Sequence, residues 1–406
     1  MFDLNKVRQD FPMIQNHPEL VYFDNGATTF KPQCVIDTVV KFYSETTCNV
    51  HRGDYRLSFE VSQAYDNVRK TAAKFLNADE EEIIYTKGDT DGLNQIAYSF
   101  GCTVVEEGDV ILTTESEHAS SILPWFRVAE LKKAKIEYIP LTEEGQVTME
   151  NFQKAFHDKV KVVVTTHVSN VLGHINPVKE MAEVVHAKGS YIVVDGAQSV
   201  PHIKVDVKDL DCDLLAFSAH KMCGPSGAGI LYGKKEILAK MPPLFLGGGS
   251  NARFNRDAEL ILKNGPERFE AGTPAIEEIL GMGSAMDYLM EIGMDSIHEY
   301  ELELRDYLLE KLSALDNVEI YNPNTDTALV SFNVKGIFAQ DSASYFGNNN
   351  IAVRSGNHCA KILKDVIGTD QSVRASLYFY NTKEEIDRFV QVVKETTLEK
   401  CIDILF

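Results

Sequence analysis

The stretch VKVVVTTHVSNVLGHINPVKEMAEVVHAKGSYIVVDGAQ, residues 160–198, reads as a strand, a helix and a second strand. Its two apolar runs, VVV and IVV, have no polar face, which is typical of strands covered by helices on both sides. Between the runs, Val178, Met181 and Val185 recur at helical spacing. Asn176 is placed to cap this helix. The stretch therefore predicts an α/β domain with a mainly parallel sheet.

The same alternation extends from about residue 80 to residue 235, with EIIYT, DVILTT, KIEYIPL, DLLAFSA and GAGILYG as further strand candidates. Downstream, a long helical stretch is predicted over about residues 281–315, followed by shorter strands. A later helix begins with a capping box formed by Thr382 and Glu385. These segments predict a smaller α+β region. Because sites in parallel sheets form where strands end and helices begin, we expect the functional residues there.

The charge and the cysteine content exclude several classes of protein. The 406 residues include 40 Lys and Arg against 60 Asp and Glu, a net charge of −20, and no basic cluster for nucleic acid or an anionic membrane. Seven scattered cysteines without a CxxC pair indicate reduced thiols rather than a disulfide framework or a zinc site. The polar N-terminus is unlike a signal peptide, and no apolar run approaches the roughly twenty residues of a membrane helix. We expect a soluble cytoplasmic protein that binds no metal, nucleic acid or membrane.

Lys221 lies in SAHKMCGPSGAGILYG, residues 218–233, between a small polar turn and a glycine-rich run. A lysine after a strand is most often a solvated surface residue. Here Ser218 and His220 add phosphate donors to the same turn, and the glycines let the backbone turn closely past a ligand. The alternative interpretation is a covalent anchor for an aldehyde cofactor, with the cofactor's phosphate held beside it.

Asp195 ends the apolar run YIVVD, so its carboxylate is predicted to face the crevice at the strand ends. A buried carboxylate needs a partner, and a protonated pyridine nitrogen is one candidate. A structural aspartate bonded to a backbone amide is the alternative. Gln198, three residues further on, is placed to donate to a phenolic oxygen of the same cofactor.

Three more polar residues follow predicted strands. In GDTDG, residues 88–92, the hydroxyl of Thr90 and the free N–H groups of a helix start suit a phosphate, although a simple helix cap has the same sequence. His118, in ESEHASS, can stack on a pyridine ring and move protons near neutral pH. Asn170, in THVSNVLG, is a neutral donor. A loop histidine and a turn asparagine are the alternatives.

Cys359 lies in RSGNHCA, a polar loop that contains a glycine, whereas a structural cysteine more often lies in an apolar run. We expect His358 and Arg354 to favour its thiolate, which is the nucleophilic form. Arg374 has the planar fork that binds a carboxylate through two parallel hydrogen bonds. An inert thiol and a solvated arginine at a strand edge are the alternatives.

With these residues in place, the chain resembles the cysteine desulfurases of the class V aminotransferase family, which depend on pyridoxal 5′-phosphate (PLP). The group II, SufS-type branch, which also holds enzymes like selenocysteine lyase, is the most similar. The resemblance extends nearly end to end, through the motifs YFDNGATTFKP, VHRGDYRLS, TKGDTDGLN, SEHASSILPW, THVSNVLG, VVDGAQSVPH, SAHKMCGPSGAGILYG, RFEAGTP, RSGNHCA and VRASLYFYNT. It implies a PLP-dependent transferase of fold type I, with a large sheet of the seven-stranded type and PLP as cofactor.

The resemblance also implies which residues contact the cofactor ring. Lys221 would bind the aldehyde covalently, Asp195 would pair with the pyridinium, and Gln198 would contact the phenolic oxygen. His118 would stack on the ring and take part in catalysis, with Asn170 beside it.

For the cofactor's phosphate, the resemblance implies Thr90, Ser218 and His220. It adds Thr273 of the neighbouring subunit, which implies a homodimer with shared sites. The family usually has a threonine where this chain has Asp89. Because a carboxylate would repel a phosphate dianion, we expect only the backbone N–H of Asp89 to contact it.

The activity implied by the resemblance is conversion of L-cysteine to L-alanine, with the sulfur passing to Cys359 as a persulfide for iron–sulfur cluster assembly. Arg374, aided by Asn170 and Arg354, would bind the substrate carboxylate. The expected partners are a SufE- or SufU-type sulfur acceptor and iron–sulfur scaffold proteins. Three alternatives stay open: a lyase for L-selenocysteine with the same residues, a PLP aminotransferase or epimerase that needs no Cys359, and a degenerate scaffold without activity.

The predicted organisation has three parts. Residues 1–20 form an N-terminal segment that packs with the small domain. Residues 21–280 form the large PLP-binding α/β domain, and residues 281–406 form the small α+β domain that carries the Cys359 loop.

Overall fold

A computed structural model describes residues 2–403. Its largest element is a sheet of seven strands, which are β1 (Ile83–Thr86), β2 (Val110–Thr114), β3 (Lys135–Ile139), β4 (Val160–Thr166), β5 (Tyr191–Asp195), β6 (Leu214–Ser218) and β7 (Gly229–Gly233). The strands lie in the order β1-β7-β6-β5-β4-β2-β3. All pairs are parallel except those of β7, which is antiparallel to both neighbours. The predicted α/β class and the mainly parallel sheet are confirmed.

Both faces of this sheet are covered, which explains the absence of a polar face in its strands. Val162, Val163 and Val164 of β4 are each fully buried. Val163 belongs to one core cluster and its two neighbours belong to another, because successive side chains of a strand point to opposite faces. Each buried valine contributes about 1.5–3 kcal/mol relative to an exposed one, so the apolar runs stabilise a two-sided core.

The helices form most of the other regular secondary structure. Their bounds are Leu4–Gln9, Pro12–Asn16, Gln33–Lys41, Arg56–Leu76, Asp89–Gln95, Cys102–Val104, Ala119–Lys132, Met149–Ala155, Val178–Ala187, Val207–Leu210, Lys235–Lys240, Ile276–Ile292, Met294–Ser313, Ala339–Asn348, Lys364–Ile367, Lys383–Glu395 and Leu398–Asp403. Within residues 2–403, no helix has both the length and the apolar character that crossing a membrane requires.

The helix between β4 and β5 begins differently from the prediction. It spans Val178–Ala187, and Pro177 occupies the N-cap position without a side-chain bond. Asn176 lies one residue before the N-cap and does not cap the helix. Its buried side chain is bonded to the end of β4 instead, where its Nδ2 donates to the carbonyl oxygen of Thr166 at 2.8 Å.

A second sheet is antiparallel and has four strands, β8 (Val318–Ile320), β9 (Leu329–Val334), β10 (Arg354–Gly356) and β11 (Ser372–Ser376), in the order β8-β9-β11-β10. Two short pairs accompany it: Val21–Tyr22 with Ile351–Ala352, and Asn251–Phe254 with Leu260–Leu262. The predicted capping box is present in the helix Lys383–Glu395.

The long helix predicted over residues 281–315 is two helices, Ile276–Ile292 and Met294–Ser313. They are separated at Gly293, whose φ of 93° lies in the region that favours glycine. The first helix buries Ile279 in the core of the large sheet, and the second buries Leu308 in the core of the four-stranded sheet. The domain boundaries at residues 20 and 280 stay predictions.

Candidate active site

The carboxyl ends of the parallel strands bring the predicted cofactor residues to one edge of the large sheet. Asp195 is the last residue of β5 and Ser218 is the last residue of β6. Lys221 ends the one-turn helix that follows β6, and Asp89 begins the helix that follows β1. The backbone N–H of Asp89 donates to Ser218 Oγ at 2.7 Å, which ties the loop after β1 to the end of β6.

Lys221, Asp195 and Asp89 form a cluster of interacting ionisable groups. Burial lowers the pKa of the Lys221 amine, while the two carboxyl groups act in the opposite direction. Burial raises the pKa of Asp195, against the effect of the Ala197 N–H, which donates to its Oδ1 at 2.9 Å. Burial and the neighbouring Asp195 raise the pKa of Asp89 well above its usual range. A lowered pKa increases the fraction of Lys221 that is present as the neutral, nucleophilic amine.

A cavity of about 720 Å³ lies beside this cluster. It is lined by both hydroxyl donors and by the histidine predicted for a phosphate, namely Thr90, Ser218 and His220. Burial lowers the pKa of His220 to about 4, with Lys221 and Lys31 adding to the effect, so its ring is neutral at pH 7. Thr90, Ser218 and His220 are therefore three uncharged groups in this cavity that can donate hydrogen bonds to a phosphate.

Ser120 belongs to the same region but was not among the predicted residues. Its hydroxyl lies 2.8 Å from Thr90 Oγ1, so it connects the start of the helix Asp89–Gln95 with the start of the helix Ala119–Lys132. The motif ESEHASS contains this serine, but its sequence gives no sign of a partner thirty residues upstream.

His118 is the N-cap of the helix Ala119–Lys132, and its Nδ1 accepts a hydrogen bond from the Ser120 N–H at 3.1 Å. Burial lowers the pKa of His118 to about 4, and the positive charges of Lys221 and Arg374 add to this effect. The ring is therefore neutral at pH 7. The prediction that it carries protons near neutral pH assumed its ordinary pKa, whereas this environment makes it an acceptor.

Gln198 lies buried at the start of the loop after β5. Its Nε2 donates to the carbonyl oxygen of Gly26 at 2.8 Å. One N–H of this amide group thus holds the N-terminal motif NGATT against the strand ends. The amide has a second N–H, which this bond does not use.

The loop that carries Cys359 is fixed to this edge through its backbone. The Ala119 N–H donates to the Cys359 carbonyl oxygen at 2.9 Å. Asn170 Nδ2 donates to the His358 carbonyl oxygen at 2.8 Å. His358 and Cys359 have φ angles of 50° and 61°, a backbone conformation that residues other than glycine rarely adopt. The Cys359 residue is exposed, so the fixed backbone presents a free thiol at the site.

The prediction that His358 favours the Cys359 thiolate is wrong. The His358 side chain is buried, and its Nε2 lies 3.1 Å from the Ser372 carbonyl oxygen. Burial lowers the pKa of His358 to about 3, so the ring carries no positive charge at neutral pH. The sequence could not show this, because burial of His358 follows from packing against β11.

Arg374 lies in β11, where the side chain is only 3% exposed. Its Nη1 donates to the Asn170 carbonyl oxygen at 2.8 Å, and its Nη2 lies 3.4 Å from Asp24 Oδ1. The side chain of Arg354 is 48% exposed and its Nη1 reaches only 3.8 Å from Asp24 Oδ2. Asp24 is a site residue that the sequence analysis missed, although it lies in the motif YFDNGATTFKP.

Thr273 lies apart from the Lys221 cluster, in a second cavity of about 520 Å³. This cavity shares Lys87, Asp91 and Phe245 with the first one. The segment before Thr273 is held by a buried ion pair, in which Arg69 Nη2 lies 2.9 Å from Glu270 Oε2. Thr273 is exposed in the single chain.

The sequence pattern of the class-V aminotransferases matches residues 21–389. The chain belongs to this family. Within the family, it is 44% identical to a probable cysteine desulfurase of Synechocystis sp., over 96% of this chain and 94% of that protein. It is 40% identical to a cysteine desulfurase of Haloferax volcanii, over 96% of each chain. The resemblance to cysteine desulfurases of the class-V aminotransferases is confirmed.

Solved structures of the class-V aminotransferase family share this fold. The apo structure of a cysteine desulfurase from Thermococcus onnurineus NA1 has a TM-score of 0.93 at 38% identity, over 97% of this chain and 98% of that one. The Escherichia coli cysteine desulfurase CsdA, in an S-sulfonic acid form, has a TM-score of 0.92 at 29% identity, over 100% and 99% of the two chains.

Proposed function

We propose that this class-V aminotransferase is a cysteine desulfurase that binds PLP, converts L-cysteine to L-alanine and receives the sulfur on Cys359. The observation that carries the proposal is the hydrogen bond from the Ala119 N–H to the Cys359 carbonyl oxygen, at 2.9 Å. It joins the backbone of the exposed Cys359 to the residue after His118, the N-cap of the helix Ala119–Lys132. The identity of 40–44% to cysteine desulfurases supports the same activity.

The residues present fit PLP. Lys221 offers an amine with a lowered pKa, and Asp195 offers a buried carboxyl for a pyridinium. Gly88 and Gly229 let two backbone segments approach beside the phosphate donors, since a Cβ added at Gly229 would lie 2.6 Å from Gly88 Cα. When bound, PLP withdraws electrons from the substrate's α-carbon and makes its proton acidic.

The chain's own residues have distinct tasks in this proposal. Lys221 holds the cofactor's aldehyde and moves protons at the substrate carbon. Arg374 binds the substrate carboxylate with two charge-assisted hydrogen bonds. The Cys359 thiolate attacks the substrate sulfur, so that a sulfur–sulfur bond forms and the carbon–sulfur bond breaks. The carbon keeps the electron pair and takes up a proton, which yields alanine and a Cys359 persulfide without an external oxidant.

We further propose that the protein acts as a homodimer in which Thr273 completes the neighbouring phosphate site. Thr273 is exposed in the single chain, and the large apolar residues Phe245, Leu246 and Phe254 are exposed as well. Exposed apolar surface of this kind is typical of protein interfaces. The exposed Cys359 suits transfer of its sulfur to a small SufE- or SufU-type acceptor that serves iron–sulfur assembly.

The proposed activity is tested by incubating the purified protein with PLP, L-cysteine and a thiol reductant, and by measuring alanine and sulfide. We expect both products in equal amounts. Cys359→Ser should form neither product, whereas Cys34→Ser, which removes another exposed cysteine, should keep the activity. Full activity of Cys359→Ser would contradict the proposal, and turnover of L-selenocysteine alone would favour the lyase.

A further inference from the structure

Asp89 is an unusual group at the edge of the large sheet. Its side chain is buried, and its Oδ1 has no hydrogen-bond partner within residues 2–403. Its backbone N–H, by contrast, is used by Ser218 Oγ. A buried ionised carboxylate without donors is costly, so an unpartnered oxygen indicates a neutral carboxyl or a ligand at this position.

The comparison with Asp195 shows which of the two carboxyls suits a negative charge. Asp195 Oδ1 accepts a hydrogen bond from the Ala197 N–H at 2.9 Å. Hydrogen bonds donated to a carboxylate favour its charged form, and two nearby carboxylates disfavour a double negative charge. Since Asp195 has a donor and Asp89 Oδ1 has none, a single proton shared by the two belongs on Asp89.

The other groups that face Asp89 do not supply a compensating charge beyond Lys221. They are Ser218 at the end of β6, His220 and Lys221 from the turn that follows it, Asp195 from β5, and Lys87 and Asp91 from the segment that contains Asp89. Burial lowers the pKa of His220 to about 4, so its ring is neutral at pH 7. Lys87 is exposed to solvent.

We propose that Asp89 is the proton-carrying member of the Lys221 cluster and remains a neutral hydrogen-bond donor at neutral pH, with and without the cofactor. Its role toward PLP rests on the proposed function, whereas its protonation state does not. Only Asp195 then carries a negative charge beside Lys221, and Asp89 offers a donor to an anionic ligand. The repulsion of phosphate expected from an aspartate at this position does not arise.

The raised pKa of Asp89 agrees with this assignment, and its cause is burial together with the charge of Asp195. A neutral Asp89 also leaves Lys221 with one fewer negative neighbour. The amine then stays closer to its uncharged form, which is the form that attacks an aldehyde.

The protonation state is tested on the cofactor-free protein by difference infrared spectroscopy at pH 7.5. We expect a band of a protonated carboxyl in the wild type that is lost in Asp89→Asn. Asp91→Asn is the matched control, because Asp91 lines the same cavity and accepts a hydrogen bond from the Lys87 N–H at 2.9 Å. This control should keep the band. Absence of the band from the wild type would overturn the proposal.

A second measurement is the pH dependence of Lys221 acylation by a small reagent, followed by mass spectrometry of the Lys221 peptide. Because Asn and a protonated Asp are both neutral, the apparent pKa of Lys221 in Asp89→Asn should stay within about half a unit of the wild type. If Asp89 were charged, its removal would lower this pKa by about one unit or more, which would overturn the proposal. Asp89→Thr provides the same comparison should Asp89→Asn fail to fold.

The role toward the cofactor is tested by binding of pyridoxamine 5′-phosphate, which cannot bond covalently to Lys221. Asp89→Asn and the wild type should bind it with affinities within about threefold of each other at pH 7.5. Binding by Asp89→Asn that is about tenfold tighter or more would mean that Asp89 is charged and repels the ligand. Failure of both proteins to bind would contradict the proposed function, and the infrared band would still decide the state of Asp89.

Discussion

The backbone N–H of Ala119 donates a hydrogen bond to the carbonyl oxygen of Cys359 at 2.9 Å. Ala119 follows β2 of the seven-stranded sheet, whereas Cys359 lies between β10 and β11 of the four-stranded sheet. This bond joins the helix that His118 caps to the loop that carries the thiol. Asn170 supplies a second connection to the same loop, at the adjacent residue His358. The position of Cys359 is thus set by backbone contacts, and its side chain stays free to react.

The hydrogen bond from Asn170 Nδ2 to the His358 carbonyl oxygen can be removed by mutation without changing the Cys359 loop itself. Asn170→Ala should lower the free energy of unfolding by about 1 kcal/mol, because it removes one hydrogen bond to a buried carbonyl. Hydrogen exchange of the amides at residues 357–361 should become faster, since the loop loses one of the hydrogen bonds that hold its backbone. Asn324→Ala, which removes an exposed hydrogen bond to Glu144 outside the loop, is the control and should leave this exchange unchanged. Unchanged exchange in Asn170→Ala would show that the loop is held elsewhere.

Arg374 and Arg354 should differ in their effects on substrate binding. Arg374→Ala should raise KM for L-cysteine about 10- to 150-fold, because it removes charge-assisted hydrogen bonds worth about 1.5–3 kcal/mol. Arg354→Ala should change KM by less, because this side chain is 48% exposed and lies 3.8 Å from Asp24. Steady-state kinetics of both variants test the difference. Equal effects would contradict the assignment of Arg374 as the carboxylate site.

The buried histidine His167 should make stability depend on pH. Burial lowers its pKa to about 4 in the folded protein, against an unfolded value near 6.5. Below about pH 6.5 the unfolded chain binds a proton that the folded chain does not, so stability falls as the pH decreases toward 4. The maximum loss from this group is about 3 kcal/mol.

Denaturant unfolding between pH 7 and pH 4.5 tests this effect. His167→Gln should show a shallower loss of stability with decreasing pH than the wild type. His17→Gln, at an exposed position, should keep the wild-type slope. A wild-type slope in His167→Gln would mean that other groups cause the acid sensitivity.

The covalent role of Lys221 predicts a visible result. The wild type incubated with PLP should turn yellow, and borohydride reduction should fix the cofactor on the Lys221 peptide. Lys221→Ala should lack both signals. Lys31→Met is a stringent control, because burial lowers the pKa of Lys31 to about 8. Its amine donates to the His220 carbonyl oxygen at 3.1 Å, so it is a second buried lysine close to the same turn. Loss of the colour in Lys31→Met alone would contradict the assignment.

The sequence predicted the large sheet well because its signals are local. The apolar runs of β4 and β5 and the capping box at Thr382 are visible within a few residues. Lys221 and Asp195 could be placed at the same edge because both follow strands of a parallel sheet. In these cases, secondary structure and topology were sufficient.

The errors and omissions have a common cause, which is contact between distant segments. Asp24 lies beside Arg374, and it forms a parallel β-bridge with Ser376 of β11, the strand that carries Arg374. The Asn176 side chain bonds the end of β4 and Pro177 takes the N-cap position, and burial against β11 keeps His358 uncharged at neutral pH. A local sequence motif shows neither the distant partner of a side chain nor whether that side chain is buried.

The most direct test of the account is the mass of the Cys359 peptide after a single turnover with L-cysteine, without reductant and with the product trapped by alkylation. The account predicts one added sulfur atom on Cys359, with one alanine released per sulfur retained. The peptides of Cys34 and Cys102 should carry none. Alanine formation with an unmodified Cys359 peptide, or sulfur bound mainly to another cysteine, would contradict the account.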